Sequence, residues 1–294
     1  IVDASDTGSS NSDNVTSDST PTITGSTEAG ATVVITDKDG NTVGTATADS
    51  SGNYSITTSA LDDGAQDLTV TATDRAGNTT STTQAITVDT NADAATISFE
   101  STGDDNVYNA AEVGVDGTIT ATISLPADAG AGDVLSINGT DQILTQDDID
   151  AGNVTTEIAP GESLTATITD LAGNTSTITQ TAAQQDLGAE AGTVTVSAIT
   201  ADDVINASES TGTVSVTGTA TGGDISIGDT VSMTINGTQY STTVGADGSY
   251  SVNVAGSDLA VDTSFDVSVA SSDAAGNTVT SSVTSTHTVD TAVD

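Results

Sequence analysis

The 294-residue chain has no cysteine, and against 42 Asp and Glu it carries two basic residues, Lys38 and Arg75. Without Cys there are no disulfides to staple a small domain and no thiolate sites for zinc or iron–sulfur clusters. The formal net charge is −40. Two cations cannot form a basic patch, so nucleic acid is excluded as a partner and anionic membrane surfaces are unattractive. Aromatic residues make up 2% of the chain, with no Trp, and hydrophobic residues 34%. A large α/β enzyme core is therefore excluded, and what can form is a thin core of Val, Ile, Leu and Ala. There are three prolines, Pro21, Pro126 and Pro160, which leaves room for many short strands. No apolar run reaches about 20 residues and no charged-then-apolar leader is present, so neither a membrane span nor a signal peptide is expected. The sequence reads as an excerpt of a longer polypeptide.

What the chain does have is alternation of Thr and Ser with Val, Ile and Ala, and a stretch that appears three times. Its copies are Asp74-Arg75-Ala76-Gly77-Asn78-Thr79, Asp170-Leu171-Ala172-Gly173-Asn174-Thr175 and Asp273-Ala274-Ala275-Gly276-Asn277-Thr278. Each lies between two alternating runs and reads as the tip of a β-hairpin. Gly supplies positive φ, Asn tolerates it, and the leading Asp can bond the backbone two residues on. The spacing of about 100 residues is too long for a solenoid or propeller repeat and matches one sandwich domain. High polarity also permits a disordered chain, but disorder would not keep the regular alternation. The expected fold is all-β, with three units at residues 1–90, 91–187 and 188–294.

Taken in order, the first unit opens on a polar lead-in from Asp3 to Asp18, followed by Thr20-Pro21-Thr22-Ile23-Thr24-Gly25. The connector Asp37-Lys38-Asp39-Gly40-Asn41 resembles the start of an EF-hand loop, but its Gly comes fourth rather than sixth and no Glu closes it at position twelve. It reads as a hairpin turn. In the second unit Asn138-Gly139 is a strong hairpin signal, while the acidic stretch from Asp147 to Asn153 is a loop or a short helical turn. The third unit repeats that plan. Asp202-Asp203-Val204-Ile205-Asn206 through Glu209 aligns with the stretch from Asp104 to Glu112, and Asn236-Gly237 repeats the middle hairpin. Tyr250 is the counterpart of Tyr54, and Val289-Asp290-Thr291 that of Val88-Asp89-Thr90.

Together, the Pro-Thr-Ile-Thr-Gly start, the Asp-Asn-Val-x-Asn-x-x-Glu stretch, the Gly-x-Tyr-Ser strand, the Asp-x-Ala-Gly-Asn hairpin and the Val-Asp-Thr linker resemble the bacterial immunoglobulin-like repeats of giant secreted adhesins, the biofilm-associated-protein-like and RTX types. The resemblance covers the whole chain. It implies three tandem immunoglobulin-like Greek-key β-sandwich domains in an extended array, exported by type I secretion to the surface of a Gram-negative bacterium. It also implies extender domains that bind Ca²⁺ and project a distal adhesion domain. The partners are then the flanking repeats of the same polypeptide and, through the distal domain, a host or environmental surface; the segment itself is expected to be a monomer without membrane insertion. Unit one departs from the pattern, because Asp13-Asn14-Val15-Thr16-Ser17-Asp18 stands where the relatives carry the Asn-x-x-Glu form.

A seven-strand Greek-key topology puts the hairpin tip at one end of each unit and the Asn-x-x-Glu stretch and linker at the other. In a head-to-tail array the two ends meet. At the first junction Asp13, Asp18, Asp89 and Asp93 then face Asp170 and Asn174. At the second, Asp104, Asp105, Asn109, Glu112 and Asp186 face Asp273 and Asn277. The same positions at the outer ends are Asp202, Asp203, Glu209 and Asp290 in the third unit and Asp74 and Asn78 in the first. Carboxylates from two units plus backbone carbonyls can supply the 6 to 8 oxygens Ca²⁺ takes, and a bridging ion relieves the like-charge repulsion. The bland alternative is that these Asp and Asn are ordinary turn formers.

Catalytic readings are weak. His287, the sole His, has no identifiable partner and is expected at a surface strand position. No Gly-x-Ser-x-Gly elbow precedes a His, and 2% aromatics can hardly line a glycosidase cleft. The competing reading is a binding module in which one unit contacts a glycan or protein directly, which exposed aromatics on loop tips would favour.

Overall fold

The structure, a computed structural model, describes residues 1, 2 and 4–292. Asp3, where the polar lead-in begins, and Val293 and Asp294, which end the third repeat, lie outside the described residues. The chain divides into two compact units, one of residues 1–100, 120–158 and 162–182 and the other of residues 101–119, 159–161 and 183–294. Both are built from β-sheets of immunoglobulin-like order.

In the first unit, a five-stranded sheet runs in the order Val15–Thr16, Thr79–Val88, Gly64–Thr73, Thr32–Thr36, Thr42–Thr47, and a two-stranded sheet pairs Thr22–Ser26 with Asn53–Thr57. Alternation decides which faces meet: Val33, Ile35, Leu68, Val70 and Val88 point inward with Ile23 and Ile56, while the intervening Thr and Ser face water. The same unit holds a sheet of Thr96–Phe99, Ile119–Ser124 and Asn153–Ile158, and a second ordered Thr140–Ile143, Val134–Ile137, Ser163–Thr169, Thr175–Thr181. The hairpin at Asn138-Gly139 has φ of +48° and +82°, both positive as a type I′ turn requires. The acidic stretch left open by sequence is a helix, Gln146–Ala151. Thr145 and Asp148 cap its start reciprocally, and Gly152 ends it in the left-handed conformation.

In the second unit, Thr193–Val196, Thr213–Thr221 and Ser249–Ala255 form one sheet. The other is ordered Thr238–Thr243, Thr230–Ile235, Ser264–Ser272, Thr278–Thr286. Strand Thr213–Thr221 shows the pattern at its cleanest, burying Val214, Val216, Gly218 and Ala220 and exposing every Thr and Ser. The core gathers Val216, Val231, Ile235, Val267 and Val269 around Tyr250, Leu259 and Phe265. A short parallel pair joins Val204–Asn206 to Thr288–Asp290, and another in the same unit joins Val107–Tyr108 to Gln184–Gln185; in the first unit Val15–Thr16 pairs in parallel with strand Thr79–Val88.

His287 does not lie at the surface. It is 6% exposed, donates from Nε2 to the carbonyl of Leu259 at 2.8 Å, and packs its ring against Phe265. The final strand changes partners between Thr286 and Thr288, and the residue at that switch faces inward with Ser281 and Ser285. Among the described residues, no helix is long and apolar enough to cross a membrane.

Two tyrosines fill room that glycines leave. Gly218 pairs with Tyr250 across neighbouring strands, and Gly25 with Tyr54. Each ring lies over the glycine, and the Tyr250 hydroxyl donates to the carbonyl of Thr195 at 2.7 Å. Burial pushes the Tyr250 phenol up to about 12. A methyl group on Gly218 would overlap both the Thr195 carbonyl oxygen and the Tyr250 hydroxyl, whereas one on Gly188 meets nothing within 4 Å. Gly218→Ala is therefore expected to destabilise the fold by about 1–3 kcal/mol, and Gly188→Ala to leave it unchanged. Thermal denaturation of the two variants checks this, and equal melting temperatures would contradict it.

Candidate functional site

The five residues Asp-x-Ala-Gly-Asn build the same local structure three times. In each, the Asp Oδ1 accepts the Asn backbone N–H at 2.8–2.9 Å and Oδ2 accepts the Asn side-chain amide at 2.7–2.8 Å. Gly77, Gly173 and Gly276 turn the chain at φ near +90°. These bonds hold the Asp74 and Asp273 carboxyls below the usual range, with the Asn78 and Asn277 amides as the largest cause. The connector Asp37–Asn41 makes the same pair of bonds, from Asn41 to both oxygens of Asp37. The local geometry is thus a stable turn in its own right, and its surroundings decide whether it does more.

An Asn side-chain amide carries two N–H donors. In the first unit Asn174 uses one on Asp170 and gives the other to the backbone carbonyl of Asp89, in the linker that follows the first repeat, at 2.8 Å. In the second unit Asn277 likewise divides its donors between Asp273 and the carbonyl of Asp186 at 2.7 Å. The tip's Ala carbonyl is engaged too. Ala172 O accepts from the Thr7 hydroxyl at 2.6 Å, and Ala275 O from the Asn109 amide at 2.9 Å. Asn277 Oδ1 further accepts the Ala110 N–H at 2.9 Å. In both places the tip of one repeat clasps the preceding repeat through its linker carbonyl and one side chain. Ala172 and Ala275 are 1% and 5% exposed, while Ala76, in the remaining tip, is exposed.

The acidic stretches before these contacts are built as turns. Asn14, Asn106 and Asp203 each sit at φ near +60°, and Asp13, Asp105 and Asp202 each accept with Oδ1 the N–H of the Val two residues on. That delivers the chain into the parallel edge pairing. Bonds from Thr200 and Val204 hold the Asp202 carboxyl below the usual range. Asp104 is exposed. Asn109 and Glu112 cap each other, as do Asn206 and Glu209: the Glu accepts the Asn N–H at 3.0 Å and the Asn Oδ1 accepts the Glu N–H. In the first repeat Asp18 instead takes the Thr20 N–H and hydroxyl. Among the described residues it is Thr7 and the backbone at Gly8, not Asp13 or Asp18, that meet the tip at Ala172; a side chain on Gly8 would overlap the Leu171 carbonyl. Asp290 is exposed and caps Ala292, and Asp93 accepts from the Asn91 amide.

Several carboxylates near these contacts escaped sequence reading. Asp128 accepts the Asp93 N–H, and Asp133, 4% exposed, accepts the Gly130 N–H at 2.7 Å. Burial, opposed by that amide and reinforced by the charges of Asp170 and Asp128, pushes Asp133 above the usual carboxylate range. In the second unit Asp224 and Asp229 make the corresponding bonds to Glu190 and Ser226. Asp6 is 5% exposed, and its Oδ1 is buried without a hydrogen-bond partner. Asp128 and Asp133 are loop residues whose charges reach one another, and Asp133 is also reached by that of Asp170, far away in the sequence. Among the described residues, no three carboxylate or imidazole side chains converge closely enough to form a metal site by themselves. Yet an orphaned carboxylate oxygen at Asp6, and separately a buried Asp133 facing like charges, are each groups that suit a hard divalent cation.

For Asp133 the folded-state pKa lies above the unfolded value, so ionisation penalises the fold as pH rises through it, and below the unfolded pKa the penalty is absent. In metal-free buffer Asp133→Asn is therefore expected to raise the melting temperature at pH 7 and to have no such effect below about pH 3.5, under the ordinary Asp value. A pH series of melts checks it, and a gain that persists in acid would contradict it.

Residues 1–90 match the family of bacterial Ig-like domains. A comparison with curated proteins gives no match. Among solved structures, a Ca²⁺-stabilised adhesin with which an Antarctic bacterium reaches out and binds ice is 42% identical, over 95% of this chain and 72% of that chain, at a TM-score of 0.57. A 1.5-MDa bacterial ice-binding adhesin, described for its retention at the host cell surface, is 39% identical over 95% of both chains, at a TM-score of 0.61. A bacterial immunoglobulin-like domain from the M. primoryensis ice-binding adhesin is 71% identical over 34% of this chain and 98% of that chain, at a TM-score of 0.34. With about two residues in five shared over nearly its whole length with the first two of these, the chain belongs to the bacterial immunoglobulin-like repeats that build large surface adhesins.

Proposed function

We propose that the chain is an extender segment of a bacterial cell-surface adhesin, made of three modules at residues 1–90, 91–187 and 188–294 and stiffened by Ca²⁺ at the joints between them. The observation that carries this reading is the repeated clasp. A hairpin tip bearing an Asp holds the linker carbonyl of the preceding repeat, among carboxylates that no basic residue balances. In the first unit Asp6, Asp89, Asp93, Asp128, Asp133 and Asp170 would hold the ion. In the second the corresponding set is Asp186, Asp224, Asp229 and Asp273, with Asp104, Asp105 and Glu112 close in sequence to the Asn109 contact. When bound, the ion would supply positive charge and draw carboxylate and carbonyl oxygens around itself. The chain's own residues set the geometry: the Asn amide fixes the tip against the linker, and the Asx turns present the carboxylates. Affinities of about 10⁻⁴–10⁻³ M are expected for extracellular modules of this kind.

The role is mechanical rather than catalytic: the segment projects a distal ligand-binding region from the cell, for adhesion or biofilm formation. Export by type I secretion from a Gram-negative bacterium and a monomeric state belong to the same proposal. The alternative, direct recognition of a glycan or protein by one module, lacks the exposed loop-tip aromatics that would favour it. None of the six aromatic residues is exposed, with Tyr108, Tyr250 and Phe265 buried and Tyr54, Phe99 and Tyr240 half-buried.

Calcium at a hundredfold above Kd should add about 2.7 kcal/mol per ion to stability, and small-angle scattering should show a stiffer particle in calcium than in EDTA. Asp170→Asn and Asp273→Asn should each remove part of the calcium-dependent gain. Melting temperatures and scattering profiles that are the same in calcium and EDTA would overturn the reading.

A further inference from the structure

The tetrapeptide Ile-Asn-Gly-Thr occurs twice, at residues 137–140 and 235–238. Both copies close two-residue hairpins, between Val134–Ile137 and Thr140–Ile143 in the first unit and between Thr230–Ile235 and Thr238–Thr243 in the second. The backbone is the same in each. Its φ is +48° and +82° at Asn138 and Gly139, and +50° and +77° at Asn236 and Gly237. All four of these residues are exposed, and beyond the chain neighbours no atom lies within 4 Å of where a Cβ on either glycine would stand. With sequence, turn and exposure matched, the two turns differ in what each Asn bonds.

At Asn138 the partner is main chain. Its N–H donates to the carbonyl of Thr165 at 2.9 Å, and its side-chain Oδ1 accepts the Thr165 N–H at 2.8 Å. At Asn236 the partners are carboxylates. Its N–H donates to Asp262 Oδ2 at 2.8 Å and its side-chain nitrogen to Asp258 Oδ1 at 3.1 Å. The Tyr240 hydroxyl and this Asn236 amide hold the Asp258 carboxyl below the usual range, so it is ionised at neutral pH.

An Asn followed by Gly is a place where a chain can react with itself, because the missing glycine side chain lets the next backbone nitrogen approach the Asn side-chain carbonyl. The Gly nitrogen gives its proton to hydroxide and attacks Cγ of the Asn, and negative charge gathers on Oδ1. The tetrahedral adduct then takes a proton from water on its side-chain nitrogen and expels ammonia, leaving a cyclic succinimide. Water opens that ring at either carbonyl, to aspartate or to isoaspartate. The net change replaces the side-chain NH2 by OH, with water consumed and ammonia released. A donor aimed at Oδ1 stabilises the charge that develops there, and a neighbouring carboxylate opposes it.

We propose that Asn138 is a modification site that converts to aspartate and isoaspartate in the folded protein, and that Asn236, in the same local sequence, is held as Asn by Asp258 and Asp262. The Thr165 N–H already stands at hydrogen-bond distance from the oxygen that becomes charged. In the aspartate product a carboxylate oxygen still accepts that N–H, so the turn is kept. Isoaspartate adds a main-chain carbon inside a two-residue turn, and the register that sets Ile137 opposite Thr140 is lost. Neither calcium nor the extender role enters this chemistry.

Full-length protein is kept in mildly alkaline buffer, once folded and once in urea, and both sites are followed by peptide mapping. Each product is heavier than its parent peptide, and isoaspartate elutes apart from aspartate. In urea the two sites should convert at about the same rate, since their local sequences agree. In the folded protein Asn138 should lead by about threefold to tenfold, the worth of one hydrogen bond. Asp258→Ala frees the Asn236 amide and should narrow that lead about threefold without changing the rate at Asn138. Equal rates in the folded protein, Asn236 in the lead, or conversion at neither site while the unfolded chain converts would overturn the proposal. So would an unchanged lead in an Asp258→Ala variant that melts like its parent.

Discussion

Everything at the joints depends on one side-chain amide with two hydrogens. Asn174 and Asn277 each spend one N–H on the Asp that opens their own hairpin and the other on a backbone carbonyl in the preceding linker. The first bond shapes the turn and the second ties two repeats together. The tip's Ala carbonyl accepts from whatever donor the receiving surface carries, the hydroxyl of Thr7 in one case and the amide of Asn109 in the other. The tip is therefore constant while its partner varies.

Electrostatics sets the problem that the joints must solve. Forty-two acidic residues face two basic ones, and the one ion pair seen among the described residues, Lys38 with Asp39, joins chain neighbours. Many of the carboxylates are spent on local work, accepting one or two backbone N–H groups in an Asx turn, and such bonds lower the pKa of groups such as Asp74 and Asp202. A few do not fit that description. Asp133 is buried beside like charges and is pushed the other way, and Asp6 has an oxygen with no partner. Those exceptions, rather than the bulk of the acids, are where a cation would act.

The fold was largely legible because strand alternation and turn chemistry are local. Asn138-Gly139 and Asn236-Gly237 both close hairpins with positive φ at each position, and Tyr54 and Tyr250 occupy equivalent places over equivalent glycines. The helix at Gln146–Ala151 was ambiguous because a capped turn of acidic residues has no apolar periodicity to read. His287 was misplaced although alternation puts it on the face of Val279, Val283 and Val289, because a polar ring there is buried only through the Leu259 carbonyl it bonds, which lies far away in the sequence.

The candidate site was legible only in part, and the division has a physical cause. Sequence alone determined that Asp, Gly and Asn at positions one, four and five make a stable turn, since every atom in it lies within five residues; that Asp13, Asp105 and Asp202 shape the entry into a parallel edge pairing was visible only in the fold. Nor could sequence distinguish the tip at Asp170–Asn174 from the turn at Asp37–Asn41, whose internal bonds are the same. Which turn is clasped and which is left in water depends on what stands opposite, and so does the burial of Asp133 beside Asp170. Only the tertiary structure decides that, because the second hydrogen of an amide and the field around a carboxylate are set by neighbours that chain folding, not chain order, brings near.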